Sequence, residues 1–186
     1  KGPLILGHEF SGEVVEVGEI PKRVGLFAPG DRVTLDPVQY CNACQVCKKG
    51  QVNLCEKKEV LGVSVNGGFA EYCASHYTGI HKIPEGVSYE EAAMSEPLAC
   101  AVDVVQRISV TPGDFCVVMG PGAIGTMMLQ LIKSSGAGKV VMVGAAGDDY
   151  RLKIAEESGA DAVFNVSDKS SPYHVADLTA KIAEPS

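Results

Sequence analysis

Four cysteines crowd into one short stretch, Cys41, Cys44, Cys47 and Cys55, with the spacing C-x2-C-x2-C-x7-C. Thiolates two residues apart in a tight turn can reach one tetrahedral Zn2+ at about 2.3 Å, and a fourth from a short loop closes the sphere. A zinc with every position filled by protein is structural. It would order a loop that has little apolar content of its own. A disulfide cluster of a secreted domain fits less well. Neighbouring C-x2-C pairs are awkward to bridge, and no basic-then-apolar run opens the chain. Lys48, Lys49, Lys57 and Lys58 flank the cysteines, and they suit either the negative charge of a four-thiolate centre or a solvated loop face.

A second motif lies further on. Gly120-Pro121-Gly122-Ala123-Ile124-Gly125 reads G-x-G-x-x-G between a predicted strand and a predicted helix, the context of a dinucleotide site. Gly120 permits the tight turn, Gly122 lets the backbone approach a pyrophosphate, and Gly125 allows helix and strand to pack closely. The helix that starts at Ala123 and Ile124 offers unpaired N–H groups to the phosphates. A ribose-binding acid is expected about 20 residues on, at the end of the next strand. That place holds Gly144, followed by Ala145, Ala146 and Gly147. No carboxylate there would repel a 2′-phosphate, so the cofactor is NAD or NADP, with a slight lean to NADP. Arg151 and Lys153 are candidates to meet that phosphate or ordinary helix-surface charges, and Asp148 or Asp149 could instead reach a ribose hydroxyl.

These motifs must be positioned by folded elements. The chain has 186 residues with 46% hydrophobic and 21% charged, enough for a buried core. Its formal charge of −7 argues against a nucleic-acid surface, and no apolar run reaches the roughly 18 residues of a membrane span. Residues 4–35 read as β, with Glu13 to Val17 alternating and Gly30-Asp31 turning into a strand. Gly67 to Tyr72 resumes the β pattern, and Ser88 with Glu91 makes a capping box. Pro97 should interrupt that helix, which restarts and runs to about Ser109. Strands at 115–119, 139–143 and 162–166 then alternate with helices at 124–135, 150–158 and 173–183. The pattern changes from β to β-α-β-α-β near residue 105, which places domains at 1–104 and 105–186. Cys73, Cys100 and Cys116 lie in apolar stretches and are expected to be buried thiols. Thiols outside the cluster favour a reducing compartment, the cytoplasm.

The ordered set of motifs resembles one family. Gly7-His8-Glu9-Phe10-Ser11-Gly12 through Gly18, then Gly30-Asp31-Arg32-Val33, the cysteine lobe, Gly68-Phe69-Ala70-Glu71-Tyr72 and the glycine loop are similar to the zinc-dependent medium-chain dehydrogenases. Glu96-Pro97-Leu98 is nearest to the polyol and threonine dehydrogenase branch. The resemblance implies a GroES-like β-barrel catalytic domain followed by a partial Rossmann doubly wound parallel sheet. It implies that His8 is the imidazole ligand of a catalytic zinc and that Glu9 is its adjacent or alternate ligand. Glu96 would be a second carboxylate, binding directly or through water. His76, His81 and His174 match nothing and default to the surface. The implied chemistry is reversible oxidation of a small alcohol or polyol to a ketone, with hydride passing to NAD(P). Zinc makes the alcohol oxygen more acidic. The resemblance also implies a homo-oligomer, dimer or tetramer.

The pattern has gaps. Family members carry a cysteine ligand a couple of dozen residues before the His-Glu pair, whereas the chain begins with Lys1 and has no cysteine before His8. It stops at Glu184-Pro185-Ser186 after three of six expected strands, so it is expected to be an internal segment of a longer enzyme. The alternatives are a catalytically incomplete fragment holding only the structural zinc and, remotely, a zinc-knuckle binding module.

Overall fold

The computed structural model describes residues 2–183, so Lys1 and the closing Glu184-Pro185-Ser186 lie outside the described residues. The chain separates into two compact units, Lys1–Glu96 and Pro97–Ser186.

In the first unit β1 (Ser11–Glu13) pairs antiparallel with β2 (Arg32–Leu35), with Ser11 opposite Thr34. Along β2 the buried Val33 and Leu35 alternate with half-buried Arg32 and Thr34, the period-two pattern of a strand with one face on the core. Helix α1 (Glu19–Arg23) lies between the two strands. β3 (Val38–Gln39) and β4 (Glu59–Val60) form a two-stranded ribbon that closes the cysteine loop, which contains the one-turn helix α2 (Gln45–Lys48). β5 (Ile80–Lys82) joins the other edge of β2. Helix α3 (Tyr89–Ala93) opens with the expected capping box. Glu91 N–H donates to Ser88 Oγ at 3.1 Å, and Ser88 N–H donates to the Glu91 carboxylate at 2.8 Å. Met94 ends α3, and α4 (Ser95–Ile108) restarts with Pro97 in its first turn, where a missing N–H costs nothing. Pro97, Ala101 and Val105 make the buried stripe of α4, spaced four apart as one helix face requires. The division between the units falls inside α4.

In the second unit β6 (Phe115–Met119), α5 (Ala123–Ser134), β7 (Lys139–Gly144), α6 (Asp149–Glu157) and β8 (Ala162–Asn165) alternate, and the short α7 (Leu178–Ala183) follows. The three strands form a parallel sheet in the order β6-β7-β8. From Val140 to Gly144 every residue of β7 is buried, which is why this strand reads as an unbroken apolar run. Leu129 and Ile132 of α5 and Leu152 and Ala155 of α6 pack with Val140 and Met142 of β7 in the core. Among the described residues no helix is long and apolar enough to cross a membrane.

Three expected elements differ. Residues 4–35 are not continuous β: Gly18, in an extended conformation, starts α1, whose Glu19 sits at the positive end and whose Lys22 and Arg23 sit at the negative end of the helix dipole. Gly67–Tyr72 forms bends instead of a strand, with Phe69 78% and Tyr72 72% exposed. Gly67 and Gly68 donate to the carbonyls of Ile5 and Gly7 through irregular bonds, so no ladder forms. The helix expected from Tyr173 begins only at Leu178. Before it, His174 forms a bridge with Asn165, and Val175 N–H donates to Asn165 O at 3.0 Å.

Asp161, just before β8, ties three elements together. Its carboxylate accepts from Val140 N–H at 2.6 Å and from Lys133 Nζ at 2.9 and 3.0 Å. Partial burial pushes its pKa up, but the Val140 N–H and the Lys133 ammonium outweigh this and hold it below the usual carboxylate value. A depressed folded pKa means stability present above the unfolded value of about 3.9 and lost as pH falls through the folded value. Asp161→Asn is expected to lower unfolding free energy by about 1–3 kcal/mol at pH 7. The deficit should shrink below about pH 3, as read from denaturant midpoints at the two pH values.

Candidate functional site

The cysteine loop brings four sulfurs together. The Sγ atoms of Cys41, Cys44, Cys47 and Cys55 all lie within 4.8 Å of one another, with Cys41 to Cys55 at 3.6 Å and Cys44 to Cys55 at 4.0 Å. For metal–sulfur bonds of about 2.3 Å a regular tetrahedron has edges of about 3.8 Å, so the spacing suits a zinc ion. Asn42, with φ of 55°, supplies the left-handed turn that lets Cys44 N–H point back at Cys41 Sγ at 3.3 Å. Cys47 N–H likewise donates to Cys44 Sγ at 3.5 Å and Cys41 N–H to Cys55 Sγ at 3.4 Å.

Those N–H donors favour thiolate. The N–H of Cys47 is the main reason Cys44 is held down at about 6, and the N–H groups of Ala43 and Cys44 lower Cys41. Cys47 goes the other way: burial first, then the neighbouring thiols, push it up to about 12. Four sulfurs this close cannot all ionise without a cation among them, and a zinc held there would supply that charge. The flanking Lys48, Lys49, Lys57 and Lys58 are exposed, with Lys58 donating to the carbonyl of Asn53 at 2.9 Å.

A second cluster is assembled from distant segments. His8, Glu9 and Glu96 each place one ligand atom within 4.8 Å of the others, His8 and Glu96 half-buried and Glu9 exposed. His8 and Glu9 lie just before β1, and Glu96 is the second residue of α4. One nitrogen and two carboxylate oxygens at this spacing suit a zinc with positions left over for a further ligand.

The glycine loop joins β6 to α5. Gly120 has φ of 99°, and its N–H donates to Val143 O at 2.8 Å. A Cβ built on Gly125 would collide with the carbonyl oxygen of Gly120, so the close approach of helix and strand excludes any side chain there. A Cβ on Gly122 would meet nothing within 4 Å, which leaves the loop's outer face open. The first α5 bond is Thr126 N–H to Gly122 O at 2.9 Å, so the N–H groups of Ala123, Ile124 and Gly125 have no partner within the helix. No acid stands in that first turn to repel a phosphate.

At the end of β7, a side chain on Gly144 would meet Asp148 Cβ at 3.0 Å and Leu152 at 3.1 Å. Both following acids are engaged by partners in this unit. Asp148 accepts from Ala145 N–H at 3.0 Å and pairs with Arg151 at 3.3 Å, while Asp149 accepts from Ser171 Oγ at 2.6 Å and Asn165 Nδ2 at 3.0 Å. Asn165 is fully buried, and its Oδ1 accepts from Ser167 N–H at 3.1 Å and Asp168 N–H at 2.9 Å. It thereby fixes the loops after β7 and β8 together. No motif along the chain marks it. The available signal was an amide in an otherwise apolar strand.

Two other expectations change. Cys73 and Cys116 are half-buried and Cys100 is exposed: Cys116 packs at the edge of the core on the same face of β6 as Val118, whereas Cys100 lies off the Pro97–Ala101–Val105 stripe of α4. His76 and His81 are exposed, whereas His174 is half-buried, and its Nδ1 is sequestered with no hydrogen-bond partner among the described residues.

Comparison with known proteins places the chain. Residues 1–85 match the family described as the alcohol dehydrogenase GroES-like domain. The sorbitol dehydrogenase of Halalkalibacterium halodurans is 41% identical over 178 residues, covering 95% of this chain and 51% of the relative. A protein of Sinorhizobium meliloti 1021 described as a zinc-binding dehydrogenase and solved bound to NADP is 36% identical, with a TM-score of 0.81 over 89% of this chain and 47% of that one. An alcohol dehydrogenase of Escherichia coli CFT073 complexed with NADH is 35% identical, with a TM-score of 0.80 over 96% of this chain and 51% of that one. Residues 1–85 form a GroES-like domain of the alcohol dehydrogenase type, the second unit is part of a Rossmann-like parallel sheet, and along its length the chain is similar to zinc-binding medium-chain dehydrogenases. It spans about half the length of the curated relatives it matches.

A bound zinc in the cysteine lobe contributes to folding. A strong chelator at pH 7 is expected to lower the melting temperature by at least about 5 °C, roughly 1–2.5 kcal/mol for a chain of this size. Cys55→Ser is expected to match that loss without chelator and to respond no further to it, as read by thermal unfolding with metal analysis.

Proposed function

We propose that the protein oxidises a polyol or another secondary alcohol to the ketone, reversibly, with hydride passing to NAD or NADP. The observation that carries this reading is the convergence of His8, Glu9 and Glu96, from segments far apart in sequence, within 4.8 Å. In this reading these three residues hold a catalytic zinc, and Cys41, Cys44, Cys47 and Cys55 hold a structural one. A zinc at the first centre would supply the Lewis-acid charge that makes an alcohol oxygen more acidic, and a nicotinamide would supply the hydride acceptor.

The residues of the chain position these partners. The His8 nitrogen and the two carboxylates present a compact set of three donors, which would leave zinc positions for a substrate oxygen and a further ligand. Gly120, Gly122 and Gly125 let the backbone close around a pyrophosphate, with the N–H groups of Ala123, Ile124 and Gly125 directed at it. Gly144 brings no carboxylate to the ribose, and the engagement of Asp148 and Asp149 by partners in their own unit supports acceptance of NADP as well as NAD. A polyol is favoured as substrate by Glu96 and by the likeness to a sorbitol dehydrogenase. Homo-oligomeric assembly and cytoplasmic location belong to the same reading and rest on the family resemblance and on cysteine usage.

The test uses the protein expressed from its complete reading frame. Two zincs per chain, saturable binding of NADH or NADPH and turnover of sorbitol or a related polyol are expected. His8→Ala should release one zinc, retain the other and lower turnover at least about a hundredfold. A single zinc in the unaltered protein, with no turnover of any polyol or secondary alcohol, would leave only the structural centre and overturn the proposal.

A further inference from the structure

We propose that Thr34 is a positioning residue that sets the distance between the His8–Glu9 pair and Glu96. The inference rests on reading those three residues as metal ligands and concerns what holds them in register.

His8 and Glu9 precede β1, and Glu96 is the second residue of α4. No backbone ladder joins these two segments. Thr34, in the middle of β2 and opposite Ser11 of β1, lies between them. Its Oγ1 is 3.3 Å from the carbonyl oxygen of Phe10, the residue after Glu9. It is also 3.1 Å from Ala92 O and 3.1 Å from Ser95 Oγ, the latter on the residue before Glu96. Ser95 Oγ donates in turn to Ala92 O at 2.7 Å.

Proton counting shows how the cluster is satisfied. Two hydroxyls bring two protons, and the carbonyls of Phe10 and Ala92 only accept. With the Ser95 proton on Ala92 O, the shortest contact, the Thr34 proton is left for Phe10 O, Ala92 O or Ser95 Oγ. The half-buried Thr34 hydroxyl links the backbone next to one ligand pair to the helix start that carries the other when its proton is shared between Phe10 O and Ala92 O, or when it goes to Phe10 O while Ser95 Oγ–H turns to the Thr34 oxygen. A methyl in place of that hydroxyl keeps the volume and removes the link.

A second bond, Ser11 Oγ to Tyr89 O at 2.6 Å, also docks β1 against α3. It ends at the start of α3, before the break at Met94, so it secures docking without touching the residues beside Glu96. Ser11→Ala is therefore the control for general loosening.

The protein from its complete reading frame is loaded with Co2+ in place of zinc. The visible absorption bands of the cobalt centre and zinc affinity in chelator competition are then read for Thr34→Val, Thr34→Ser and Ser11→Ala. Thr34→Val is expected to shift the cobalt bands of the His8 centre and weaken zinc there about tenfold, while the cysteine-held metal is unchanged. Thr34→Ser should restore both readouts, and Ser11→Ala should alter neither. If Thr34→Val does not fold, Ser95→Ala carries the test, with a smaller shift in the same direction. Unchanged bands and affinity in Thr34→Val, or an equal effect from Ser11→Ala, would overturn the proposal. His8→Ala separates the two levels: if it leaves the cobalt spectrum intact, the ligand reading itself falls, and this inference with it.

Discussion

In each unit backbone has to approach backbone more closely than any side chain allows, and the chemistry is built around that contact. A Cβ on Gly62 would stand 2.5 Å from the carbonyl oxygen of Gly7, and one on Gly67 would collide with the same atom. Gly7 itself has φ of 93°, and the residue after it is His8. The imidazole is thus delivered by a backbone that glycines on three segments hold in place. In the second unit Gly125 stands against Gly120, and that contact sets the helix N-terminus over the end of β6. Steric exclusion, enforced by the absence of side chains, fixes both places before any polar interaction acts.

Polar groups then refine what the close contacts allow. The cysteine lobe has little apolar material, and its loop is shaped by N–H groups donating to sulfur. Negative charge gathered there would be neutralised by a cation held among the sulfurs. The β7–α6 loop shows the opposite solution. Its acids are satisfied by Ala145 N–H, Arg151, Asn165 and Ser171. Asp148 is paired beside its own loop and Asp149 is turned toward β8 and the segment after it, so both carboxylates have partners within the unit.

Much of this was legible along the chain because it depends on neighbours in sequence. The capping box of Ser88 and Glu91, the cysteine spacing and the strand–glycine loop–helix context each involve residues a few positions apart. Legibility failed where partners are distant. Glu13 to Val17 has the composition of a strand, yet β1 ends at Glu13: Val14 still bonds Asp31 O and Gly30 N–H, and there the Gly30–Asp31 turn carries the partner chain away. Gly68 to Tyr72 has the composition of a strand, but its N–H groups are drawn to the irregular segment around Gly7. Asn165 and Thr34 are ordinary polar residues in strands until the loops they bridge are in place.

The sequence by itself determined the donor sets, the two classes of motif and the family resemblance. Residue type decides which atoms can bind a metal or a phosphate, and short spacing decides whether a turn can gather them. Only the tertiary structure decided that His8 and Glu9 meet Glu96, and that Asp149 after β7 turns inward to Asn165 and Ser171. Those encounters depend on strand pairing and helix docking across long stretches of chain. Such contacts are selected by the packing of the whole unit and leave no periodic trace in the residues that make them.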